Sequence, residues 1–155
     1  MNVLYLISTP RIVGGTPKKT LDMIKHAHHK CIVYFWSDDY EEYQALFREA
    51  GAKTYTGSYG RNLFKHIRSI VNIIDKHLID VVQTQFSFGE ILGFFVKLLR
   101  PKVKLIFAFV GPFNPPRMKK IILNTFYKRV DAFIYISEYV RREKLAAFPA
   151  LKNRP

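Results

Sequence analysis

Short apolar runs rich in β-branched residues alternate along this chain with segments in which apolar residues recur at helical spacing. Runs of the first kind, bounded by polar or turn-forming residues, are typical of strands buried in a sheet. The pattern predicts six strands: Val3–Ser8, Ile32–Trp36, Thr54–Thr56, Val81–Thr84, Lys104–Phe109 and Ala132–Ile136.

The segments between these strands carry apolar residues spaced three and four apart, which predicts amphipathic helices. Gly51 is placed to end one helix. Pro17 is placed to begin another, because a proline at the first helical position loses only an N–H that has no helical partner. The apolar stripes are Leu63, Ile67, Ile70, Val71, Ile74 and Leu78; Tyr43, Leu46, Phe47 and Ala50; and Met118, Ile121, Ile122, Thr125 and Phe126.

Strands that alternate with helices need crossover connections, and these favour a mainly parallel sheet with helices on both faces. The 155 residues suit a single α/β domain of the doubly wound, Rossmann-like type. Ligands bind such sheets beyond the carboxyl ends of the strands. We therefore expect Gly14-Gly15, Gln83–Phe88 and Val110–Asn114 to lie at the binding edge.

The paired Gly14 and Gly15 stand between the first strand and the predicted start of the first helix. This order directs unpaired backbone N–H groups and the positive end of a helix dipole at one point, which favours a phosphate or another anion. A tight turn that needs positive φ explains the same two glycines, so both interpretations are open at this point.

The chain is strongly basic, with 25 Lys and Arg against 12 Asp and Glu and a formal net charge of +13. Such a balance favours phosphate-bearing partners: nucleic acid, a nucleotide or an anionic membrane. The lone cysteine, Cys31, excludes a disulfide within the chain and favours a reducing, cytoplasmic compartment. Neither a signal peptide nor an apolar run long enough to span a bilayer is found in the sequence.

The sequence predicts no metal site and no cofactor. His26, His28 and His29 lie close together, but no carboxylate or cysteine completes a ligand set, and a solvated helix end explains them. Serines near strand ends have no matching histidine for a catalytic triad. Asp80 and Asp131 each precede a predicted strand, which indicates turn residues and not an acid–base pair.

Basic residues dominate the stretch from Ile91 to Val130, which has no acidic residue. Around the helix after Pro116 they alternate with apolar side chains, which suits a membrane surface or a lipid-phosphate partner. An ordinary solvated basic surface is the main alternative, and without a recognisable motif no specific nucleic acid partner is expected. The basic residues singled out are Arg117, Lys119 and Lys120, and the apolar ones, some of which must belong to the core, are Phe94, Phe95, Met118 and Phe126.

Four segments together resemble the N-terminal, acceptor-side domain of the two-domain GT-B glycosyltransferases, in particular glycosyltransferase family 4. Val3–Ser8 with Gly14-Gly15 is similar to the family's opening strand and glycine pair. The segments Asp80–Gly93 and Lys104–Gly111 look like its middle blocks. The most specific match is Asp131–Arg142, which is similar to the family's Asp-x-strand-Ser-Glu-x-Val-Arg block.

The chain departs from the family's pattern at three positions. Gln83 and Gln85 stand where the family often has two histidines, and Val110 stands where it often has a histidine before the glycine. In the family, the histidine that Val110 replaces can contact the transferred sugar. Since this chain lacks that histidine, its catalytic residues stay unassigned.

The resemblance implies a domain, residues 1–155, that binds a glycan or lipid-linked acceptor, while a C-terminal domain outside this chain supplies most of the nucleotide-sugar site. By itself the chain is expected to be inactive and to bind the donor weakly. The lone cysteine leads us to expect a cytoplasmic protein, and the basic stretch adds the hypothesis that it is peripheral on the inner face of the membrane. A stand-alone phosphate- or nucleotide-binding module is the alternative. The implied binding residues are Gly14, Gly15, Gln83, Gln85, Gly111, Asn114, Ser137 and Glu138.

Overall fold

The computed structural model describes residues 1–8, 15–36, 41–112 and 116–152, without the side chains of Ser87, Arg117 and Lys119. Six strands and six α-helices alternate, and a short 3-10 helix follows at Pro149–Leu151. The strands are β1 Asn2–Ile7, β2 Lys30–Phe35, β3 Lys53–Thr56, β4 Val81–Gln85, β5 Lys104–Phe109 and β6 Ala132–Tyr135. The helices are α1 Gly15–Lys25, α2 Glu41–Glu49, α3 Leu63–His77, α4 Phe86–Leu99, α5 Arg117–Tyr127 and α6 Glu138–Ala147.

The strands form one parallel sheet in the order β3-β2-β1-β4-β5-β6. This is the predicted doubly wound α/β fold, and all six predicted strands are present within two residues at each end. The strand order reverses between β1 and β4, which is the point where such sheets bind ligands.

Helices cover both faces of the sheet. On one face α1 and α2 pack against the odd-numbered side chains of β1 and β2, such as Tyr5 and Val33. On the other, α3 to α6 pack against Leu4, Tyr34 and Phe107 in a larger core. Burial on both faces explains why the strands appear in the sequence as continuous apolar runs.

Three helix predictions need correction. Helix α1 begins at Gly15, so Pro17 is its third residue; proline fits there because the first four N–H groups of a helix have no helical partner. Leu78 does not belong to the buried stripe of α3, since it ends that helix with a left-handed φ of 50° and is 77% exposed. On α2 the buried residues are Gln44 and Phe47, while Leu46 is exposed.

Gly51 ends α2 as predicted. Its φ is +94°, a conformation that favours glycine. The N–H of Gly51 donates to the carbonyl of Arg48 and the N–H of Ala52 donates to that of Phe47, which is the Schellman pattern.

Asp80 and Asp131 tie strands together at the amino edge of the sheet, opposite the binding edge. Asp80 accepts a hydrogen bond from the N–H of Asn2 (2.7 Å). Asp131 accepts from Lys97 on α4 (2.8 Å) and from the N–H of Leu105 (2.7 Å). Burial acts to raise the pKa of Asp131, but these donors outweigh it and hold the pKa below its usual value. Both aspartates therefore have structural roles.

None of the helices in the described part of the chain has the length and apolar character needed to cross a membrane.

Candidate functional site

A cleft opens at the carboxyl edge of the sheet, between α1 and the ends of β4, β5 and β6. Its volume is about 40 Å³, on the order of a few water molecules, so the described residues form one wall of a site and do not enclose a ligand. The lining residues are Thr16, Lys19, Met23, Gln83, Gln85, Ala108, Phe109, Val110, Ile134 and Ile136.

Two buried glutamines give this apolar wall its polar groups. Gln83 and Gln85 are 6% and 4% exposed and lie on the face of β4 that is turned towards α1. The side-chain amide of Gln85 donates to the hydroxyl of Thr20 (2.9 Å), which donates to the carbonyl of Thr16 (3.0 Å). The side-chain carbonyl of Gln85 accepts no hydrogen bond from a described residue. A buried acceptor without a donor costs free energy, so a water or a ligand donor would stabilise this oxygen.

The backbone after Gln85 is also unusual. Phe86 has a φ of 65°, which is uncommon for a bulky residue. It allows β4 to turn into α4 without a loop, and the first turn of α4 has no side-chain cap. The amino end of α4 therefore presents N–H groups without a side-chain cap at this edge of the sheet, where α1 also begins.

Packing does not explain two of the predicted site glycines. A Cβ at Gly15 or Gly111 would meet no described atom within 4 Å, and neither residue has a left-handed φ. With respect to the described residues, the space on the Cβ side of both positions is open, which suits close approach of a ligand. Gly14 and Asn114 lie outside the described residues.

Ser137 and Glu138 do not line the cleft in the described structure. The Ser137 hydroxyl caps α6 by accepting from the N–H of Val140 (3.2 Å). Glu138 pairs with Arg141 one turn along the same helix (3.1 Å). Local helix capping thus explains both residues.

Thr16 and Lys19 are lining residues that sequence reasoning missed. They lie three residues apart at the start of α1 and face the two glutamines across the cleft. Their three-residue spacing places both on one face of a helix, but only if the helix begins at Gly15 and so includes Thr16. Lys19 forms no ion pair with a described residue, so its positive charge is available to an anion.

Behind the cleft lies a buried ionic group. Glu90, Tyr127 and Lys144 are 7%, 1% and 5% exposed, and the Tyr127 hydroxyl donates to Glu90 (3.3 Å). Burial raises the pKa of Glu90 and lowers that of Lys144, while their mutual attraction opposes both shifts. The Lys144 ammonium lies 4.7 Å from the centre of the Phe109 ring, which lines the cleft.

The predicted basic helix is α5, and it presents apolar residues outward. Met118, Ile121 and Ile122 are 72%, 60% and 51% exposed. Phe126 instead stacks on Phe94, with ring centres 3.7 Å apart. Lys120 is half-buried, and the side chains of Arg117 and Lys119 lie outside the described atoms.

Two of the three clustered histidines, His26 and His29, have structural partners. His26 bonds the carbonyl of Asp22 (2.8 Å) and His29 bonds the Tyr5 hydroxyl (3.2 Å). In the described part of the chain, no three His, Cys, Asp or Glu side chains are grouped as metal ligands.

The family model described as Glycosyltransferase Family 4 matches residues 20–152. Comparison with curated proteins finds no sequence match.

Solved structures share the fold at low sequence identity. A glycosyltransferase from Rickettsia africae aligns with a TM-score of 0.72 and 17% identity over 93% of this chain and 38% of that one. Anabaena HepE, in complex with UDP and glucose, aligns with a TM-score of 0.74 and 14% identity over 95% of this chain and 41% of that one. UDP-GlcNAc 2-epimerase from Neisseria meningitidis, bound to UDP-GlcNAc, aligns with a TM-score of 0.63 and 11% identity over 94% of this chain and 43% of that one. The chain therefore spans about two fifths of the length of these structures.

Proposed function

Because the chain belongs to glycosyltransferase family 4, we propose that it is the N-terminal, acceptor-side half of an enzyme that moves a sugar from a nucleotide-sugar to an acceptor hydroxyl. The observation that carries this proposal is the one-sided cleft, whose apolar wall holds two buried glutamines. The acceptor is a glycan or a lipid-linked molecule, and a second domain closes the cleft from the other side.

The residues of the cleft contact different parts of the substrates. The unpaired carbonyl of Gln85 accepts a hydrogen bond from a substrate hydroxyl, and Gln83 supplies a second amide. Lys19 and the first N–H groups of α1 face the negative charge of the diphosphate. Gly15 and Gly111 have no side chain and so leave room for the ligand to approach the protein backbone. In this proposal Ser137 and Glu138 act indirectly, by fixing the start of α6 beside the cleft.

Calorimetric titration of the 155-residue chain with UDP-glucose and UDP-N-acetylglucosamine tests the proposal. A well-formed site buries about 70–90% of its ligand, and this cleft offers one wall, so we expect dissociation constants of about 1 mM or weaker. Tight, micromolar binding by this chain alone would instead support a stand-alone nucleotide-binding module.

The same proposal predicts an activity defect in the protein extended beyond Pro155. Gln85→Leu should lower kcat/KM for sugar transfer by about tenfold or more, because a substrate hydroxyl loses its buried acceptor. Gln44→Leu removes an equally buried amide from α2, far along the sheet, and serves as the matched control. Equal activity in the two variants would contradict the role of Gln85.

A second proposal concerns location: α5 docks the domain on the anionic inner face of a membrane. Its exposed Met118, Ile121 and Ile122 form an apolar stripe, and exposed apolar patches mark interaction surfaces. The surrounding stretch from Ile91 to Val130 has basic but no acidic residues. Each basic residue near such a surface contributes about 1 kcal/mol of attraction.

Co-sedimentation with liposomes tests the docking. Binding should rise with the fraction of anionic lipid and fall with salt, and Lys119→Glu with Lys120→Glu should weaken it about tenfold or more. Lys18→Glu with Lys25→Glu makes the same charge change on α1, on the opposite face of the sheet, and should have a smaller effect. Equal retention on neutral and anionic vesicles, or equal effects of the two pairs, would leave only an ordinary basic surface.

A further inference from the structure

A second pocket, outside the cleft, lies on α3 and the loop that precedes it. Its volume is about 320 Å³, within the range of small-molecule sites. It is lined by Tyr59, Lys65, Arg68, Ser69 and Asn72. The last four are spaced by three, one and three residues, so they share one face of the helix. The pocket and the cleft have no lining residue in common.

The pocket carries uncompensated positive charge. From Ala50 to Ile74 the sequence contains no acidic residue. Lys65 and Arg68 are exposed, and neither forms an ion pair with a described residue. Asp75, further along α3, is committed to Arg100 through two hydrogen bonds of 2.7 and 2.6 Å. An anionic ligand is therefore what this surface attracts.

The loop that carries Tyr59 is held in place from inside the protein. The buried His66 ring bonds the carbonyl of Gly60 through Nε2 (2.9 Å) and the Tyr34 hydroxyl through Nδ1 (2.7 Å). Since a carbonyl only accepts, Nε2 carries a proton, and in the neutral ring the Tyr34 hydroxyl donates to Nδ1. The Tyr59 ring packs edge-on against the same histidine, with centres 5.3 Å apart.

Gly57 makes this arrangement possible. A Cβ at Gly57 would overlap the hydroxyl of Tyr34, and Tyr34 is fully buried. The start of α3 is fixed as well, because the Asn62 side chain accepts from the N–H of Lys65 (3.1 Å). The pocket is thus preorganised, and a ligand need not order the loop in order to bind.

We propose that this pocket binds a phosphate group, presented as a phosphomonoester. Arg68 offers a planar fork of donors and Lys65 a point charge, the two usual partners of phosphate oxygens. The Tyr59 hydroxyl and the Asn72 amide add neutral donors at the rim. A phosphomonoester carries close to two negative charges and three strong acceptor oxygens at neutral pH, which fits this donor set better than a carboxylate.

NMR titration of the 155-residue chain with glycerol 3-phosphate tests the proposal. The backbone amides of residues 59–72 should shift and saturate, while sodium chloride at equal ionic strength leaves them unchanged. Arg68→Gln and Lys65→Gln should each weaken binding by about tenfold. Lys76→Gln, the same change at the far end of α3, is the control, and thermal melting confirms that all variants fold.

A vesicle arm separates the two sources of the phosphate. If the ligand is a lipid headgroup, the protein is retained on vesicles that contain phosphatidic acid. Arg68→Gln then lowers this retention and Lys76→Gln does not. Saturable binding of glycerol 3-phosphate, with vesicle retention indifferent to Arg68, identifies a soluble phosphomonoester. Shifts that sodium chloride reproduces, or equal losses in the Arg68 and Lys76 variants, would overturn the proposal. None of these readings depends on donor binding or sugar transfer.

Discussion

Gly93→Val should destabilise the fold by about 3 kcal/mol, because a side chain at this position has no space to occupy. Gly93 lies where α4 packs against β4 and β5. A Cβ there would stand 2.6 Å from Cγ2 of Thr84 and 2.9 Å from Cδ1 of Leu105. Both neighbours are fully or almost fully buried, so α4 would have to move away from the sheet.

Urea denaturation followed by circular dichroism measures this loss, and a graded series sharpens it. Gly93→Ala should cost less, since alanine regains about 1 kcal/mol of helix propensity. Gly15→Ala is the control, because a Cβ at Gly15 meets nothing within 4 Å and its effect should stay within about 0.5 kcal/mol. An unchanged midpoint for Gly93→Val would show that α4 does not pack as described.

The strands were predictable because a parallel sheet covered on both faces needs continuous apolar runs. The orientation of the helices was less predictable, since periodicity reveals an apolar face without showing what that face contacts. On α5 the residues Leu123 and Tyr127 pack in the core. Of the predicted stripe, Met118, Ile121 and Ile122 face outward, while Phe126 stacks on Phe94. Two apolar faces on one short helix cannot be ranked from spacing alone.

The candidate site divides in a similar way. Gln83 and Gln85 were expected at the binding edge because they lie at the end of a predicted strand and stand where the family often has histidines, and the structure places both in the cleft wall. Thr16 and Lys19 were not expected there, because the start of α1 had been assigned to Pro17. Ser137 was expected at the site from the family resemblance, but a serine also suits a helix N-cap, and the structure shows that cap.

The pocket on α3 and the ionic group on α4 and α6 were not predicted, since both depend on contacts between distant elements. His66 holds the loop before α3 only because β2 brings Tyr34 beneath it. Likewise, Glu90 and Lys144 are more than fifty residues apart in the sequence and influence each other electrostatically only because α4 and α6 pack on the same face of the sheet. Neither residue belongs to a recognisable motif.

That ionic group leads to the second large expected effect. Lys144→Met should destabilise the fold by about 3–5 kcal/mol near neutral pH, because it leaves the Glu90 carboxylate buried without its cation. Lys76→Met, on an exposed position of α3, should change stability by less than about 0.5 kcal/mol. Glu90→Gln combined with Lys144→Met should recover most of the loss, since the uncompensated charge is then absent.

The loss in Lys144→Met should also depend on pH, in a direction that the structure fixes. Burial holds the pKa of Glu90 above its usual 4.5 in the folded protein, so stability from this group falls as pH rises from 4.5 through the folded pKa. Without Lys144 that pKa rises further, and the gap between wild type and variant should widen between about pH 5 and about pH 7. Urea denaturation at both values measures the gap. A loss independent of pH, or a double variant no more stable than Lys144→Met, would show that Lys144 acts through packing on Phe109 and Phe148 and not by compensating the charge of Glu90.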